Sequence, residues 1–395
     1  MGGHVNRGKN CLHIALICLA LLLGLSQSIW AQTPFERNFN TRHNELKVMT
    51  YNLLNLYDTY HDEGFQDYTF LPAFHSLKAE CQKITIPYYR ELCINTDWTP
   101  QRLDAKLNQI RDVIRAQGDL PDILAVQEIE NHKVIRMLAQ KLGYNRYLVS
   151  NSISRRGADV ALLFRQEKLE FIDWDQIQIQ ELTESGIQTR PILKANFRVA
   201  GSPRNSVLGV YVNHWPSQAA PIETRIAAAR TLAWAVDQET KRFGSGYHVV
   251  ALGDFNTTTG ESPNAFDDVL HNRRWRNSLL DTQMLSRQYG QVQKGMSFGG
   301  PLMGTYWYRG ENVWNYFDRI LVSKNLFDRR GMNYDPNSYH IMFEDFMSQV
   351  VEWTPNGGGR SIRVKVPFTF NFQARNYREL GYSDHLPVII KLRIR

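Results

Sequence analysis

The sequence predicts one large α/β domain in which two β-sheets pack together and helices lie outside them. Three observations predict it. Strand-like segments recur from near residue 46 to the C-terminus, only a few long helical patterns lie between them, and neither an internal repeat nor an interdomain linker divides the chain. Because strands and helices do not alternate one for one, a packed pair of sheets fits better than a repeated βαβ array.

A helix beginning after Thr99-Pro100 is the clearest local prediction. Threonine is a preferred N-cap residue, and proline is favoured in the first helical turn. Apolar side chains at helical spacing follow, at Leu103, Leu107, Ile110 and Ile114, before Gly118. A second helix is predicted over His132–Leu142, ended by Gly143, and a third through residues 225–236.

The strands are predicted from β-rich or continuous apolar runs. The predicted strands cover residues 46–53, 122–127, 158–164, 192–199, 206–213, 248–252, 320–322 and 387–392. Two long segments, 57–98 and 330–375, have neither pattern and are predicted to be elaborated loops of the domain. Loops of such length within a compact domain are functional or disordered in most proteins.

The N-terminus has the pattern of an export signal. Arg7 and Lys9 precede an apolar run over residues 11–25, and the small residues Ser28 and Ala31 follow. About fifteen residues are fewer than the roughly twenty that a transmembrane helix needs. We predict cleavage after Ser28 or Ala31, with an uncleaved anchor as the alternative. The predicted organisation is a signal peptide over 1–31, a linker over 32–45 and a domain over 46–395.

Charge and cysteine content narrow the class of protein. The chain of 395 residues has 43% apolar and 22% charged residues, which excludes disordered, collagen-like and coiled-coil proteins. Signal removal leaves 44 basic and 39 acidic residues, a net charge near +5 that makes an acidic partner plausible. It also leaves Cys81 and Cys93, for which export predicts a disulfide worth about 3 kcal/mol. Two unpaired buried thiols are the alternative.

Acidic, amide and imidazole side chains recur at the ends of the predicted strands. They are Asn52, Glu128, His214, Asp254 and Asn256, with Asp318 and Asp384-His385 directly before later strands. Each alone has an ordinary explanation, since asparagine and aspartate are common turn and cap residues. Together they would meet at one rim, where open α/β sheets place their sites.

This set of residue types suits phosphate chemistry. Glu128 is a hard oxygen ligand for Mg²⁺, which completes its shell with water and substrate phosphate. Asp254 can hold and deprotonate a water molecule. His214 and His385 can donate hydrogen bonds to phosphoryl oxygens as these gain charge. Asp318 would orient one imidazole and keep it protonated.

Six segments, in order, resemble the endonuclease/exonuclease/phosphatase superfamily. They are NLLNL at Asn52, QE at Glu128, NHWPS at His214, GDFN at Asp254, FDRILVS at Asp318 and SDHLPV at His385. The resemblance covers residues 46–395. It implies a four-layered α/β sandwich, with two mixed sheets face to face, that hydrolyses phosphoesters with Mg²⁺ or Mn²⁺; Ca²⁺ is a further candidate ion.

The resemblance also implies roles for single residues. The metal side would consist of Asn52, Glu128 and Asp384. The catalytic group would consist of His214, Asp254, Asn256, Asp318 and His385. Asp254 would activate the attacking water, Asn256 would bind a phosphate oxygen, and His385 would contact the scissile phosphate. His214 matches a second histidine of the secreted deoxyribonuclease branch, and which histidine is the general acid stays open.

The substrate is the least determined part of the prediction. Arg155 and Arg156 are candidate contacts for a flanking phosphate, with a solvated turn as the alternative. Trp307, in an aromatic and basic cluster, is a candidate stacking residue, with core packing as the alternative. Arg102 and Lys106 are expected on a solvated helix face.

The predicted function is an exported, monomeric, metal-dependent phosphodiesterase, periplasmic or extracellular, without a stable protein partner or a remaining membrane anchor. Nucleic acid, DNA or RNA, is the predicted substrate. A lipid or sugar-phosphate phosphoesterase on the same fold is the alternative enzyme. A catalytically silent binding protein is the alternative outside the enzyme class, and the presence of every motif residue argues against it.

Overall fold

The computed structural model describes residues 43–204, 206–272, 275, 277–288, 304–354, 361–376 and 379–395. The predicted signal peptide and most of the predicted linker lie outside these residues. Seventeen strands occur in the described residues, in chain order: β1 (Glu45–Leu56), β2 (Ile123–Ile129), β3 (Arg146–Val149), β4 (Asp159–Phe164), β5 (Leu169–Ile177), β6 (Ile192–Val199), β7 (Val207–His214), β8 (Tyr247–Asp254), β9 (Leu279–Asp281), β10 (Tyr306–Tyr308), β11 (Val313–Asn315), β12 (Asp318–Ser323), β13 (Met332–Tyr334), β14 (His340–Ile341), β15 (Ser348–Trp353), β16 (Ile362–Pro367) and β17 (Val388–Ile394).

The α-helices lie between these strands. They are α1 (Pro87–Asn95), α2 (Pro100–Arg115), α3 (His132–Leu142), α4 (Gln180–Glu184), α5 (Ile222–Phe243) and α6 (Thr282–Gln288). Shorter helical turns cover 68–70, 76–83, 244–246, 265–270, 324–327, 336–338 and 345–347. The side chain of Thr99 accepts a hydrogen bond from the Arg102 amide, as predicted for an N-cap, and Gly143 ends α3 in the left-handed conformation.

Two mixed sheets form the centre of the fold. One is seven-stranded, in the order β13-β17-β1-β2-β4-β3 with β14 also beside β17, and the other is six-stranded, in the order β5-β6-β7-β8-β12-β9. Strands β1, β2 and β4 of the first sheet contact β7, β8 and β12 of the second. The fully buried side chains of α5, such as Ala228 and Leu232, pack in one cluster with Tyr211 and Val249 of the second sheet. This arrangement confirms the predicted α/β sandwich.

Each sheet has one parallel strand pair, and these pairs position the site. Strands β1 and β2 are parallel with Asn52 opposite Gln127, and β7 and β8 are parallel with His214 opposite Asp254. Strand β12 runs antiparallel to β8, so its first residue, Asp318, is opposite Asp254. The motif residues therefore lie toward the ends of the strands in both parallel pairs. Because β12 runs in the opposite direction, its first residue lies beside the end of β8.

The sequence prediction of strands was complete for the central strands of the two large sheets and incomplete at the edges of these sheets. Every predicted strand is present, within a few residues at each end. Strand β5 was missed because its sequence LEFIDWDQI is polar and largely exposed, as an edge strand can be. Strands β3, β9–β11 and β13–β16 were missed because they are short or paired only with each other.

The two segments predicted as elaborated loops have defined structure. Segment 57–98 contains two helical turns, α1 and a disulfide between Cys81 and Cys93. Its last residue, Trp98, is fully buried and donates from Nε1 to the carbonyl oxygen of Tyr57 at 3.1 Å, which closes the segment at its base. In the described part of segment 330–375, β15 and β16 form a hairpin, and Phe372 packs against Trp98.

Candidate active site

A hydrogen bond between the two sheets marks the centre of the site. Asn52 of β1 donates from Nδ2 to Asp254 Oδ2 of β8 at 3.1 Å, and both side chains are buried. The SDH motif lies against the same point, because Ser383 Oγ donates to the Asn52 carbonyl oxygen at 2.8 Å. The His385 amide donates to Ser383 Oγ at 3.1 Å. Residues 202 and 331 positions apart in the chain therefore meet at one place.

Asp254 accepts hydrogen bonds on both carboxylate oxygens. Oδ2 accepts from Asn52, and Oδ1 accepts from the Asn256 amide at 2.9 Å. Asn256 has a positive φ of 48° and donates its side-chain amide to the Trp215 carbonyl oxygen at 3.1 Å. Burial raises the pKa of Asp254 to about 7, His385 opposes this increase and Asp318 adds to it. A carboxylate with such a pKa can accept a proton near neutral pH.

His385 and Asp318 form a buried pair. His385 Nδ1 lies 2.7 Å from Asp318 Oδ2, and the Asp318 amide donates to Thr305 Oγ1 at 3.0 Å. Burial alone would lower the pKa of His385, but the carboxylates of Asp318, Asp254 and Asp384 together raise this pKa well above its ordinary value. The imidazolium is therefore the stable form of His385, with Nε2 facing Asp254 Oδ2 at 3.9 Å.

His214 lies opposite His385 and has the reverse protonation preference. Trp215 Nε1 donates to Asn213 Oδ1 at 3.0 Å, which holds the two residues that flank His214. Arg190 Nη2 lies 3.3 Å from His214 Nε2. Since a guanidinium can only donate, His214 Nε2 is the acceptor and Nδ1 carries the proton. Burial, followed by the charges of Arg190, Arg156 and His385, lowers the pKa of His214 well below its ordinary value.

Asp254 Oδ2 is 3.7 Å from His214 Nε2 and 3.9 Å from His385 Nε2. These separations are too long for direct hydrogen bonds. Both imidazoles therefore face the carboxylate without being bound to it, and an oxygen atom of water or substrate can interact with all three groups.

Glu128 and Asp384 supply carboxylate oxygens beside this centre. A register shift in β2 and a φ of 60° at Glu128 turn its side chain out of the strand's alternation, and its Oε2 accepts from the Asn55 amide at 3.1 Å. Burial raises the pKa of Asp384, His385 lowers it and the neighbouring charge of Glu128 raises it further. Two carboxylates that repel one another form a favourable position for a cation.

This donor set fits Mg²⁺ or Mn²⁺. Magnesium is held in proteins by one or two carboxylates, with water and substrate phosphate completing its shell. Glu128 and Asp384 are such a pair, and Asn52 adds an amide oxygen that the Leu54 amide also contacts at 3.0 Å. Within the described ranges, no group of three or more His, Cys, Asp or Glu side chains could enclose a metal ion.

Of the predicted site residues, eight occupy this centre. They are Asn52, Glu128, His214, Asp254, Asn256, Asp318, Asp384 and His385. Arg155 and Arg156 are exposed beside it, and Arg156 Nη2 donates to Asn55 Oδ1 at 3.2 Å. Trp307 is only 5% exposed and packs against Val364 and Val366, so its position fits the core-packing alternative.

The expectation for Lys106 was wrong. This residue of α2 is buried, its ammonium lies 4.0 Å from the centre of the Phe370 ring, and it has no hydrogen-bond partner among the described residues. Burial lowers its pKa to about 7, while Asp384 and Glu128 act in the opposite direction. The helical pattern placed Lys106 one position before the apolar residue Leu107, and only the packed Phe370 segment shows that this face is covered.

Sequence reasoning did not assign two residues that contact the site's imidazoles. Arg190 contacts His214, and the Tyr306 ring lies 4.7 Å from the His385 ring. Tyr306 directly precedes Trp307 in the aromatic and basic cluster, and the sequence gives it no separate signal. For Arg190 the sequence offers no more than its position before a predicted strand.

Gly253 allows β7 and β8 to approach each other directly before Asp254. Its φ is +139°, and a Cβ there would lie 2.0 Å from the Asn213 carbonyl oxygen. We expect Gly253→Ala to separate the strands that carry His214 and Asp254, to lower kcat by about tenfold or more, and to lower the free energy of unfolding by about 1–3 kcal/mol. Gly260→Ala is the matched control, because no atom lies within 4 Å of its Cβ position. Equal kinetics and equal urea midpoints for the two variants would contradict this account.

Comparison with known proteins places the fold. The chain resembles the human Nocturnin catalytic domain with a bound sulfate anion, at 16% identity and a TM-score of 0.51, covering 90% of this chain and 97% of that one. It also aligns with the mannosyl-6-phosphatase Bt3783 of Bacteroides thetaiotaomicron at 14% identity, a TM-score of 0.48 and coverage of 88% and 99%. D. rerio TDP2 complexed with a single-strand DNA product aligns at 12% identity, a TM-score of 0.47 and coverage of 88% and 99%. No curated protein sequence gives a significant match.

The sequence profile of one family matches residues 90–394, more than three quarters of the chain. This stretch contains Glu128, His214, Asp254, Asp318 and His385. Members of the superfamily are phosphoester hydrolases and generally use divalent metals. The chain belongs to the Endonuclease/Exonuclease/phosphatase family.

Proposed function

We propose that this protein is an exported phosphodiesterase that hydrolyses nucleic acid, DNA or RNA, with Mg²⁺ or Mn²⁺. One observation carries the proposal: the Asp254 carboxylate lies within 4 Å of two imidazoles whose protonation preferences are opposite. A carboxylate able to accept a proton and an imidazolium able to donate to an anion are the two groups that water attack on a phosphoester needs.

Asp254 would position the attacking water and accept its proton. Asn52 and the Asn256 amide hold the carboxylate in one orientation by hydrogen bonds. The Asn256 side chain is itself anchored on the Trp215 carbonyl oxygen. A bound divalent cation, held by Glu128 and Asp384, would polarise the phosphate oxygens.

His385 rather than His214 would hold the proton that balances charge on the phosphate. Asp318 orients its ring through Nδ1, which leaves Nε2–H free to donate. His214 Nε2 instead accepts a hydrogen bond from the Arg190 guanidinium. A phosphate oxygen bound at this position would replace the imidazole as the acceptor of that hydrogen bond. Arg190 and His385 would then contact the phosphate from two sides.

The rim favours a polyanionic substrate. Arg155 and Arg156 are exposed next to the residues that hold Glu128, and the net charge of the chain without residues 1–31 is near +5. Guanidinium groups bind phosphates through paired hydrogen bonds. A strand with phosphates on either side of the scissile one would use these contacts, whereas a small phosphomonoester would leave them unused.

Export is part of the proposal. The first 31 residues have the pattern of a signal peptide, and the Cys81–Cys93 disulfide suits an oxidising compartment, periplasmic or extracellular. In the part of the chain that the structure describes, no helix is long and apolar enough to span a membrane. We propose that the mature protein begins near Gln32 and acts as a monomer.

The test is turnover by the mature protein on four substrates: plasmid DNA, RNA, sphingomyelin and a phosphomonoester. Each is measured with Mg²⁺, with EDTA, and with the His385→Ala variant. EDTA-sensitive cleavage of DNA or RNA that His385→Ala abolishes is the expected result. Cleavage of only the lipid or the monoester would replace the nuclease proposal by the alternative enzyme. A folded protein that is inactive on all four would overturn the enzymatic proposal.

A further inference from the structure

Two adjacent tyrosines stand exposed on the first turn of α1. Tyr88 is 71% and Tyr89 is 54% exposed, and their ring centroids lie 5.3 Å apart in an edge-to-face arrangement. Neighbouring exposed aromatic side chains are a feature of surfaces that bind a partner. Both residues precede the stretch 90–394 that matches the family, so they belong to a part of this chain that the match does not include.

The segment that carries the tyrosines is hydrogen-bonded to the loop that contains Arg155 and Arg156, here called the arginine loop, beside the active site. Tyr57 donates from its hydroxyl to the Arg156 carbonyl oxygen at 2.7 Å. The Gln66 amide donates to the Arg155 carbonyl oxygen at 2.8 Å. Segment 57–98 and the arginine loop are therefore one connected surface.

Arg156 links this surface to the site. Its guanidinium donates to Asn55 Oδ1 at 3.2 Å, and the Asn55 amide donates to Glu128 Oε2 at 3.1 Å. The guanidinium interacts electrostatically with Glu128 and with Tyr89. One cationic side chain is therefore near both a carboxylate of the site and one of the two tyrosines.

The helix that carries the tyrosines is anchored to the rest of its segment. The disulfide joins Cys93 of α1 to Cys81, and both cysteines are fully buried. Lys78 donates from Nζ to the carbonyl oxygens of Cys93 and Thr96 at 2.9 and 2.7 Å. A surface that is ordered before binding loses little conformational entropy when a ligand arrives.

We propose that Tyr88 and Tyr89 form a stacking surface for unpaired bases, on which a single-stranded nucleic acid lies while its backbone passes Arg156 into the active site. This inference rests on the proposed function and names the form of its substrate. Aromatic rings beside cationic groups bind single strands because every unpaired base has a face to stack, whereas paired bases do not offer theirs. Phenol rings near the guanidinium of Arg156 fit such a strand better than a lipid surface.

The test is direct binding, measured by fluorescence anisotropy of a 5′-labelled 12-nucleotide single strand in EDTA. We expect the double variant Tyr88→Ala/Tyr89→Ala to raise the Kd for the single strand by about tenfold. Its Kd for a duplex of the same sequence and its kcat/KM on a small aryl phosphodiester should stay unchanged. Tyr88→Phe/Tyr89→Phe keeps the rings and should bind as the unaltered protein does.

Phe74→Ala is the matched control, since Phe74 is 89% exposed on the same segment. Unaltered single-strand binding by the double alanine variant would overturn the inference, as would an equal loss in the phenylalanine variant. A loss of sedimentation with anionic phospholipid vesicles, without a loss of oligonucleotide binding, would assign the tyrosines to a membrane instead.

The outcomes separate this inference from the proposed function. Hydrolysis of nucleic acid together with normal binding by the double alanine variant would overturn the stacking surface alone. A protein that neither cleaves nucleic acid nor binds the single strand would overturn both. Single-strand binding that depends on the tyrosines, without any cleavage of nucleic acid, would keep the surface and overturn the nuclease.

Discussion

His385→Ala is expected to lower kcat on any accepted phosphoester by about a hundredfold or more, with little change in secondary structure. The reason is that this imidazolium is the cationic donor which faces Asp254, and Asp318 holds it in the required orientation at 2.7 Å. The measurement is steady-state turnover at saturating metal, with circular dichroism to establish that the variant is folded. Near-native turnover by His385→Ala would show that the site residues are assigned wrongly.

The matched control is His43→Ala, because His43 is exposed and lies before β1. Asp318→Asn provides a second comparison, in which the imidazole remains but its acidic partner is lost. We expect a smaller loss of kcat than in His385→Ala, together with a change in the pH profile, since the carboxylate of Asp318 is the group that most favours the imidazolium of His385.

Asp281→Ala is expected to lower the free energy of unfolding by about 3–5 kcal/mol. Asp281 of β9 and Arg319 of β12 form a buried ion pair, and the guanidinium also lies 4.5 Å from the centre of the Phe266 ring. The variant leaves the charge of Arg319 buried without its acidic partner. Two nitrogen atoms of the Arg319 guanidinium, Nε and Nη2, already lack hydrogen-bond partners in the described residues. Urea unfolding monitored by circular dichroism measures the change.

A double variant separates the effect of the unpaired charge on stability from the effect of the packing that Asp281→Ala removes. Arg319→Met combined with Asp281→Ala removes both charges, and we expect this variant to recover part of the stability lost in Asp281→Ala. Asp175→Ala, at an exposed position of β5, is the control and should change stability by less than about 0.5 kcal/mol. A double variant less stable than Asp281→Ala would mean that packing, not the unpaired charge, causes the loss.

Local sequence patterns were sufficient to predict an element where the residues that form and end it lie within the element or next to it. The bounds predicted for α3 are those observed, because Asn131 caps its first turn, its apolar residues recur at helical spacing and Gly143 ends it. The central strands of both large sheets were found because residues covered on both faces produce continuous apolar runs. The polar residues at their ends could be predicted to meet, since the parallel pairs β1–β2 and β7–β8 bring strand ends to one edge.

Contacts between distant segments were beyond these patterns. The sequence left Trp307 open between stacking and core packing, because it packs against β15 and β16, two strands that the sequence did not reveal. Lys106 was expected in solvent, and Phe370, more than 260 residues later, covers it. In both cases the environment of the side chain is made by a remote segment, and periodicity describes only the element's own face.

The sequence by itself determined the α/β class, the central strands of both large sheets, the long helices and which polar residues lie at the ends of these strands. Only the tertiary structure decided the chemistry among them. Arg190 makes His214 an acceptor and Asp318 makes His385 a donor, across sequence separations of 24 and 67 residues. The physical reason is that a charge changes the proton affinity of its neighbour over a few ångströms of space, and the fold alone sets which charges become neighbours.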